Sequence, residues 1–357
     1  MTRSTRSCGT VLGLTTLGAL ALTFSSCGGS DSGSLKSGYQ GLGSKWTATF
    51  TGSNFELGYD AEADGTVDMT VNGTFVEYSN KFRKLTVVSA TGTNAPSAGE
   101  TAYGLEVPGF AFFLKPIGGD AEPIVMVKSG SCPTSDFVAN WIIAKYQDSL
   151  EAPKVDQDAL GKATFSISGK SAAIEQRRFD NGAVIPGSSS ITLTSCSGGA
   201  QKFDDGQGGE GTMFLTDNGG ALVRPESGII FAAPQLSADV TASDWNGSYT
   251  GLVFSASSMD KVFPAKVTLN GTSGSGVQIS DVENDTLESS GATFASLTAI
   301  SGSKGLFNGT VDAGSGAQPI SCVFSSVEGN DLLACNGADG APSGGVYPSF
   351  FFLGVKR

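Results

Sequence analysis

The feature that most constrains this chain is an alternation of apolar and polar residues with period two. Trp46, Ala48 and Phe50 fall on one side of an extended segment, and Thr47, Thr49 and Thr51 on the other. Val67, Met69 and Val71 alternate in the same way with Thr66, Asp68 and Thr70. Successive side chains of a strand point to opposite faces, so the pattern predicts half-buried antiparallel strands. A helix would scatter the same apolar groups around its axis. Further segments with strand character include Lys84–Ala90, Phe110–Lys115, Asn140–Tyr146, Gly305–Val311 and Phe350–Val355. Only 155–160 has helical character. The 50 glycines and the 9% aromatic content fit turns joining strands rather than disorder. Asn-Gly pairs beginning at Asn72, Asn181, Asn218, Asn246, Asn270, Asn308 and Asn336 read as tight hairpin turns.

Two stretches match each other. Trp46–Gly52 parallels Trp245–Gly251, and Val67–Thr74 parallels Ala265–Thr272, at nearly equal spacing. The match predicts an internal repeat. The expected fold is all-β, with two related antiparallel β-barrel or β-sandwich modules. Domain A covers 45–236, with a further division available near 130 at Ser129-Gly130-Ser131. Domain B covers 238–357, after a linker at Ala233–Ser237. A tryptophan near the start of the first strand of an up-and-down module resembles the calycin or lipocalin group. The usual G-x-W is missing, since Ser243 stands at the glycine position in domain B. That resemblance implies a barrel and a carrier of a small apolar ligand.

The N-terminus gives an address. Arg3 and Arg6 precede an apolar run from Val11 to Phe24, then Ser25, Ser26 and Cys27, then Gly28–Ser34 rich in Gly and Ser. A basic start, a short apolar stretch and small residues form a secretory signal, too short to span a bilayer. The cysteine placed after it resembles the lipobox of bacterial lipoproteins, with Phe24 where Leu is usual. The resemblance implies a signal peptide at 1–26, a diacylglycerol- and palmitate-bearing Cys27, and a flexible tether at 27–44. Gly28 rather than Asp implies the outer membrane. The expected location is therefore the cell envelope.

Removing residues 1–26 takes away two arginines and moves the net charge from −12 to −14. So acidic a surface excludes nucleic acid as a partner. The chain has no histidine, which removes Ser-His-Asp and Cys-His catalysis and histidine-ligated zinc. With Cys8 in the signal and Cys27 lipidated, four cysteines remain in an exported protein, an even number that predicts two disulfides. Of the three pairings, Cys132–Cys196 and Cys322–Cys335 keep each bridge within one module.

Candidate chemistry is sparse. Asp60, Glu62, Asp64, Thr66 and Asp68, with Gly65 for the sharp turn, have the oxygen spacing that wraps Ca²⁺. Two acidic groups, Asp204, Asp205 and Glu210, and Asp281, Glu283 and Asp285, offer carboxylates to a polysaccharide hydrolase. Gly169-Lys170-Ser171, Ser258-x-x-Lys261 and Ser301-x-x-Lys304 read as loops rather than catalytic motifs. The leading expectation is a non-catalytic lipoprotein held at the membrane by its lipid, binding an envelope protein, a glycan or a small ligand. The alternatives are a carboxylate-based hydrolase and a calycin-like carrier.

Overall fold

The computed structural model describes residues 38–41, 46–61, 65–115, 124–128, 130–146, 151–152, 158–187, 189–206, 208–223, 228–255, 261–338 and 347–357. Among them there are 25 strands and no helix. The helical expectation at 155–160 gives way at its C-terminal end, because Asp158 and Leu160 already pair with Arg178 and Arg177; 155–157 lie outside the described residues.

The strands form three closed antiparallel barrels of eight. Barrel 1 consists of β1 (Tyr39–Gly41), β2 (Trp46–Thr51), β3 (Asn54–Tyr59), β4 (Met69–Glu77), β5 (Phe82–Gly92), β6 (Thr101–Val107), β7 (Ala111–Lys115) and β8 (Ile124–Lys128). Barrel 2 opens with β9 (Phe137–Tyr146). After the short β10 (Glu151–Ala152) it continues with β11 (Asp158–Ser166), β12 (Ser171–Arg178), β13 (Ser189–Ser197), β14 (Ala200–Asp204), β15 (Glu210–Leu215), β16 (Ala221–Val223) and β17 (Gly228–Pro234). Barrel 3 consists of β18 (Gly247–Ser255), β19 (Lys261–Asn270), β20 (Ser273–Asp281), β21 (Thr286–Ala299), β22 (Leu306–Asp312), β23 (Gln318–Val327), β24 (Asn330–Ala338) and β25 (Tyr347–Lys356). Within each barrel every strand pairs with its neighbour in sequence. The last strand closes on the first, as in Tyr39↔Lys128, Phe231↔Ile142 and Leu252↔Leu353. Closure leaves no sheet edge open. β10 leaves barrel 2 to pair with Tyr347 and Pro348 of β25.

Several boundaries differ from the sequence reading. The stretch 45–236 holds two barrels, divided between Lys128 and Phe137, where the sequence offered a division near 130. β1 lies inside the stretch read as tether. A strand of three residues is too short to display a period. The linker read at 233–237 begins later, since Ala233 and Pro234 pair with Asn140 and Ala139. Gln235 is anchored as well: its Nε2 donates to Asn140 Oδ1 and to the Ser303 carbonyl, each at 3.2 Å. The matched Trp46 and Trp245 stretches are not equivalent places. Trp46 opens the second strand of barrel 1, whereas Trp245 precedes the first strand of barrel 3.

Each barrel has its own interior core. A fourth core lies between the barrels, built from outward-facing residues of all three: Phe110 and Phe113 from barrel 1, Phe214 and Phe231 from barrel 2, Leu252 and Phe351 from barrel 3. Strands at this junction bury both faces. β7, β8, β23 and β24 are buried almost throughout; β7 and β8 are continuous apolar runs, and β23 and β24 bury Ser321, Ser325 and Asn336 as well. β13 and β21 bury one face only; β13 alternates as far as Leu193, and β21 changes phase at the irregularity between Ala295 and Thr298. Phe231 meets Phe110 and Phe113 edge-on, with centroids 5.6 and 6.1 Å away. The junction also carries polar stitches. Asn80 Nδ2 donates to the Val282 carbonyl at 2.7 Å, Ser321 Oγ to Phe179 O at 3.0 Å and Asn336 Nδ2 to Ile143 O.

Many glycines serve these cores rather than turns. A Cβ at Gly104 would lie 2.4 Å from the Phe112 ring, one at Gly211 2.5 Å from Phe203, and one at Gly337 2.4 Å from Phe350. Each ring lies over a bare backbone on an adjoining strand. This corrects the reading of the Asn-Gly pairs. Those at 181, 218 and 270 sit in turns, but those at 72, 308 and 336 lie within β4, β22 and β24. At 308 and 336 the asparagine amide reaches out to barrel 2, while the glycine makes room inside barrel 3.

Both disulfides are present. Cys322–Cys335 joins opposed positions of β23 and β24 inside barrel 3. Cys132–Cys196 ties the connection between barrels 1 and 2 to β13. The latter closes a long loop, with a sequence separation of 64, for which restriction of the unfolded chain contributes about 4 kcal/mol.

The shared core makes a thermodynamic prediction. Each barrel holds one of the three tryptophans, Trp46, Trp141 and Trp245. Unfolding of the oxidised protein in urea, followed in three variants that each retain one tryptophan, should give one coincident transition. Phe231→Ala should lower stability by about 3–5 kcal/mol. Three separate midpoints would show barrels that fold independently.

Candidate functional site

An eight-stranded barrel is just wide enough for side chains to fill it or for one small ligand to enter. The inward residues decide which, and they differ among the three barrels.

Barrel 1 is filled. Its interior carries Phe50, Phe55, Phe75, Phe112 and Met126, and one end is closed by charge. Arg83, with 14% of its side chain exposed, pairs with Glu106 and, at 3.2 Å, with Glu77. Its guanidinium lies 4.7 Å from the Phe75 ring centre and 5.0 Å from that of Phe50. The Tyr39 hydroxyl donates to Glu106. Burial first, and the Glu106 carboxylate second, push that hydroxyl far above the ordinary tyrosine range. Barrel 2 is nearly filled. Trp141, Phe165, Phe203 and Met213 leave a cavity of about 70 Å³.

Barrel 3 differs between its two ends. At the base, Trp245 stacks on Phe307 with centroids 4.4 Å apart. Its indole N–H donates to Gly271 O at 2.9 Å, and Tyr249 donates to Trp245 O at 2.8 Å. Burial, then the Asp331 charge, raise the Tyr249 hydroxyl well above its usual range. Toward the other end the inward positions are small: Ala265, Gly276, Ser290, Ala292 and Ala313. A cavity of about 280 Å³ remains there. Its floor is Val267, Phe294, Val311 and Phe352, all buried; half-buried Val253, Phe263 and Phe350 form the wall above. Exposed Gln278, Ser290 and Ala313 stand at the rim.

The sequence-selected residues are placed elsewhere. Cys27, Glu62 and Asp64 lie outside the described residues. In the loop read as a calcium site, Asp60 Oδ2 accepts from Gly65 N at 2.8 Å and Asp68 Oδ2 from Ala61 N at 2.7 Å. Thr66 is exposed. Among the described residues no three His, Cys, Asp or Glu side chains converge on a common point. The acidic groups likewise cap turns or hold ion pairs. Asp204 and Asp205 accept from Gly206 N and Gly209 N in the β14–β15 connection. Glu283 pairs with Lys84 of barrel 1. Asp285 pairs with Arg357 through two bonds of 2.7 Å, which lower its carboxyl below the usual range. Hydrogen bonds from Asn284 lower Asp281 in the same way. Lys170 and Lys304 lie in turns with positive φ, and Ser258 is outside the described residues. Of the aromatic runs, Phe110, Phe113 and Phe351 enter the shared core, Phe112 fills barrel 1, and Phe350 and Phe352 line the barrel 3 cavity. Ala265 and Phe352 lie in segments singled out from sequence; Gly276 and Gln278 lie in β20, which had no strand signal.

Tyr39 and Tyr249 set an alkaline limit. Their folded hydroxyls hold protons that the unfolded chain releases above about pH 10. Their contribution is complete below that pH and is lost as pH rises above it, at up to about 1.4 kcal/mol per pH unit for each group. Tyrosinate absorbance should show both ionising only as the fold is lost, and Tyr39→Phe should flatten the alkaline decline in urea midpoint. Ionisation of all tyrosines in the intact fold would contradict this.

No family model, no curated protein and no solved structure matches this chain, so barrel 3's own geometry carries the functional argument.

Proposed function

We propose that the chain is a lipid-anchored protein of the bacterial cell envelope with a non-catalytic binding role, and that barrel 3 is its binding site for a small apolar ligand. The observation that carries this is the apolar cavity of about 280 Å³ at one end of a closed barrel. Its size is at the lower end of the range for small-molecule sites. The other two barrels have the same topology and fill the same space with Phe, Trp, Met and Arg. Interior filling is thus available to this architecture, and barrel 3 lacks it on one side only. Of the acids that a hydrolase would use, Asp204 and Asp205 are committed to turn N–H groups, and Glu283 and Asp285 to lysine and arginine. The lipobox-like signal supports attachment at Cys27, and the acidic chain needs such an anchor at an anionic membrane.

Two measurements test the proposal. In a Gram-negative host, radioactive palmitate should label the full-length protein and leave a Cys27→Ala variant unlabelled; equal labelling of both would refute the anchor. The mature chain carrying Cys27→Ser, which has no lipid to trap dye, should bind N-phenyl-1-naphthylamine at one site per molecule. Ala265→Phe should reduce that affinity at least tenfold. Binding unaffected by Ala265→Phe would place the dye elsewhere.

A further inference from the structure

The cavity wall carries information about the ligand's polarity, an inference that rests on barrel 3 being the binding site. None of the described lining residues is Asp, Glu, Lys or Arg. Polarity is graded along the barrel. The floor presents buried Val267, Phe294, Val311 and Phe352, whereas the hydrogen-bonding side chains lie toward the other end: Gln278 and Ser290 exposed at the rim, and Ser255 buried at the end of β18. The register makes Gln278 an inward residue, and its exposure puts its amide at the rim. Gln278 opposes Ala265, which opposes Gly251, so the three form one inward row in which only the glutamine is long. Opposite the floor, the base is sealed by Trp245 on Phe307. A ligand therefore enters from one end and leaves its last part at the rim.

We propose that barrel 3 takes a neutral amphiphile: a chain or ring system of roughly eight to ten methylene-sized groups, given about 30 Å³ for a group the size of water, with one uncharged hydroxyl, amide or carbonyl at the rim. The glutamine amide both donates and accepts, so it serves any of these heads. A carboxylate head is selected against twice. Among the described lining residues there is no cationic side chain to offset its desolvation. The net charge of −12 also repels an anion approaching the mouth.

The test is displacement of bound N-phenyl-1-naphthylamine by decan-1-ol and by decanoate at pH 8, with the mature Cys27→Ser chain. Decanol should displace the dye at a concentration at least tenfold lower than decanoate. Gln278→Ala should weaken decanol about threefold to tenfold relative to its effect on the dye, which has no hydroxyl to meet the amide, the effect of one hydrogen bond. Decanoate equal to or better than decanol, with dye binding still abolished by Ala265→Phe, would overturn the neutral-ligand inference and leave the binding site standing. Gln278→Ala without effect on decanol would overturn the rim's role. Dye that fails to bind, or that binds undiminished in both Ala265→Phe and Ala292→Trp, would overturn the site itself. Ala292 is half-buried, so its tryptophan variant keeps the test valid if Ala265→Phe fails to fold.

Discussion

The burial of outward barrel faces against one another is the interaction on which the rest of this structure depends. A closed eight-stranded barrel satisfies its backbone hydrogen bonds by itself, and its interior hides one face of each strand. The outward face has no such partner within the barrel. Here Phe82, Phe113, Phe231, Leu306 and Phe351 are outward residues with at most 1% exposure, because three barrels meet there. Side chains at the junction are held by two barrels at once. The amides and hydroxyls of Asn80, Asn140, Ser321, Ser325 and Asn336 reach backbone carbonyls of a neighbouring barrel. These bonds fix the angle at which the barrels meet, which dispersion between rings leaves loosely defined.

The same rule of inward and outward faces decides which barrel is solid. Rings fill an interior only where a neighbouring strand makes room, and glycine does so at 73, 104, 161 and 211 in barrels 1 and 2. Barrel 3 uses the device under Phe350 and Phe352. It also uses it under Phe294 at Gly276, but above that ring it places small residues at inward positions, as with Ala265, Ser290 and Ala313. Nothing large then occupies the space. Barrel 1 takes the reverse course and closes one end with Arg83 between two rings and two carboxylates. An ion pair there is shielded enough to need both acceptors, and the aromatic faces cover the rest of the guanidinium.

The β class was legible because alternation survives in single strands such as β2 and β5, and the continuous runs at 111–114, 124–127 and 350–353 already marked strands buried on both sides. The number of barrels was less legible. The connection between barrels 1 and 2 is short and carries a disulfide cysteine, so it resembles a loop within one domain. β20 was invisible because Ser273, Gly274, Ser275 and Gly276 offer no apolar face. The cavity could not be read at all without register. Irregularities between Val277 and Asp281, and between Ala295 and Thr298, change which residues of β20 and β21 point inward. A one-residue slip exchanges the two faces of a strand, so a count of alternating letters loses the barrel interior at each bulge. The Asn-Gly pairs failed for a related reason. Their turn preference is a local property, and packing overrides it where a glycine must lie beneath a ring.

The acidity of the chain follows from the same topology rather than from recognition. A meander of eight strands needs a connection at each step, and each connection exposes backbone N–H groups that no ladder satisfies. Aspartate is a short side chain that accepts from an N–H two to four residues on. Asp204 and Asp205 do this for Gly206 and Gly209, Asp281 for Glu283 and Asn284, and Asp312 for Gly314 and Gly316. Asp136 accepts from Ile167 N and Ser168 N across the neighbouring connection. Lysine and arginine cannot replace them, since they carry no acceptor. A protein assembled from many hairpins thus accumulates negative charge in its connections. The described lining of the barrel 3 cavity is uncharged because its walls are strands, where carboxylates have no turn N–H to meet.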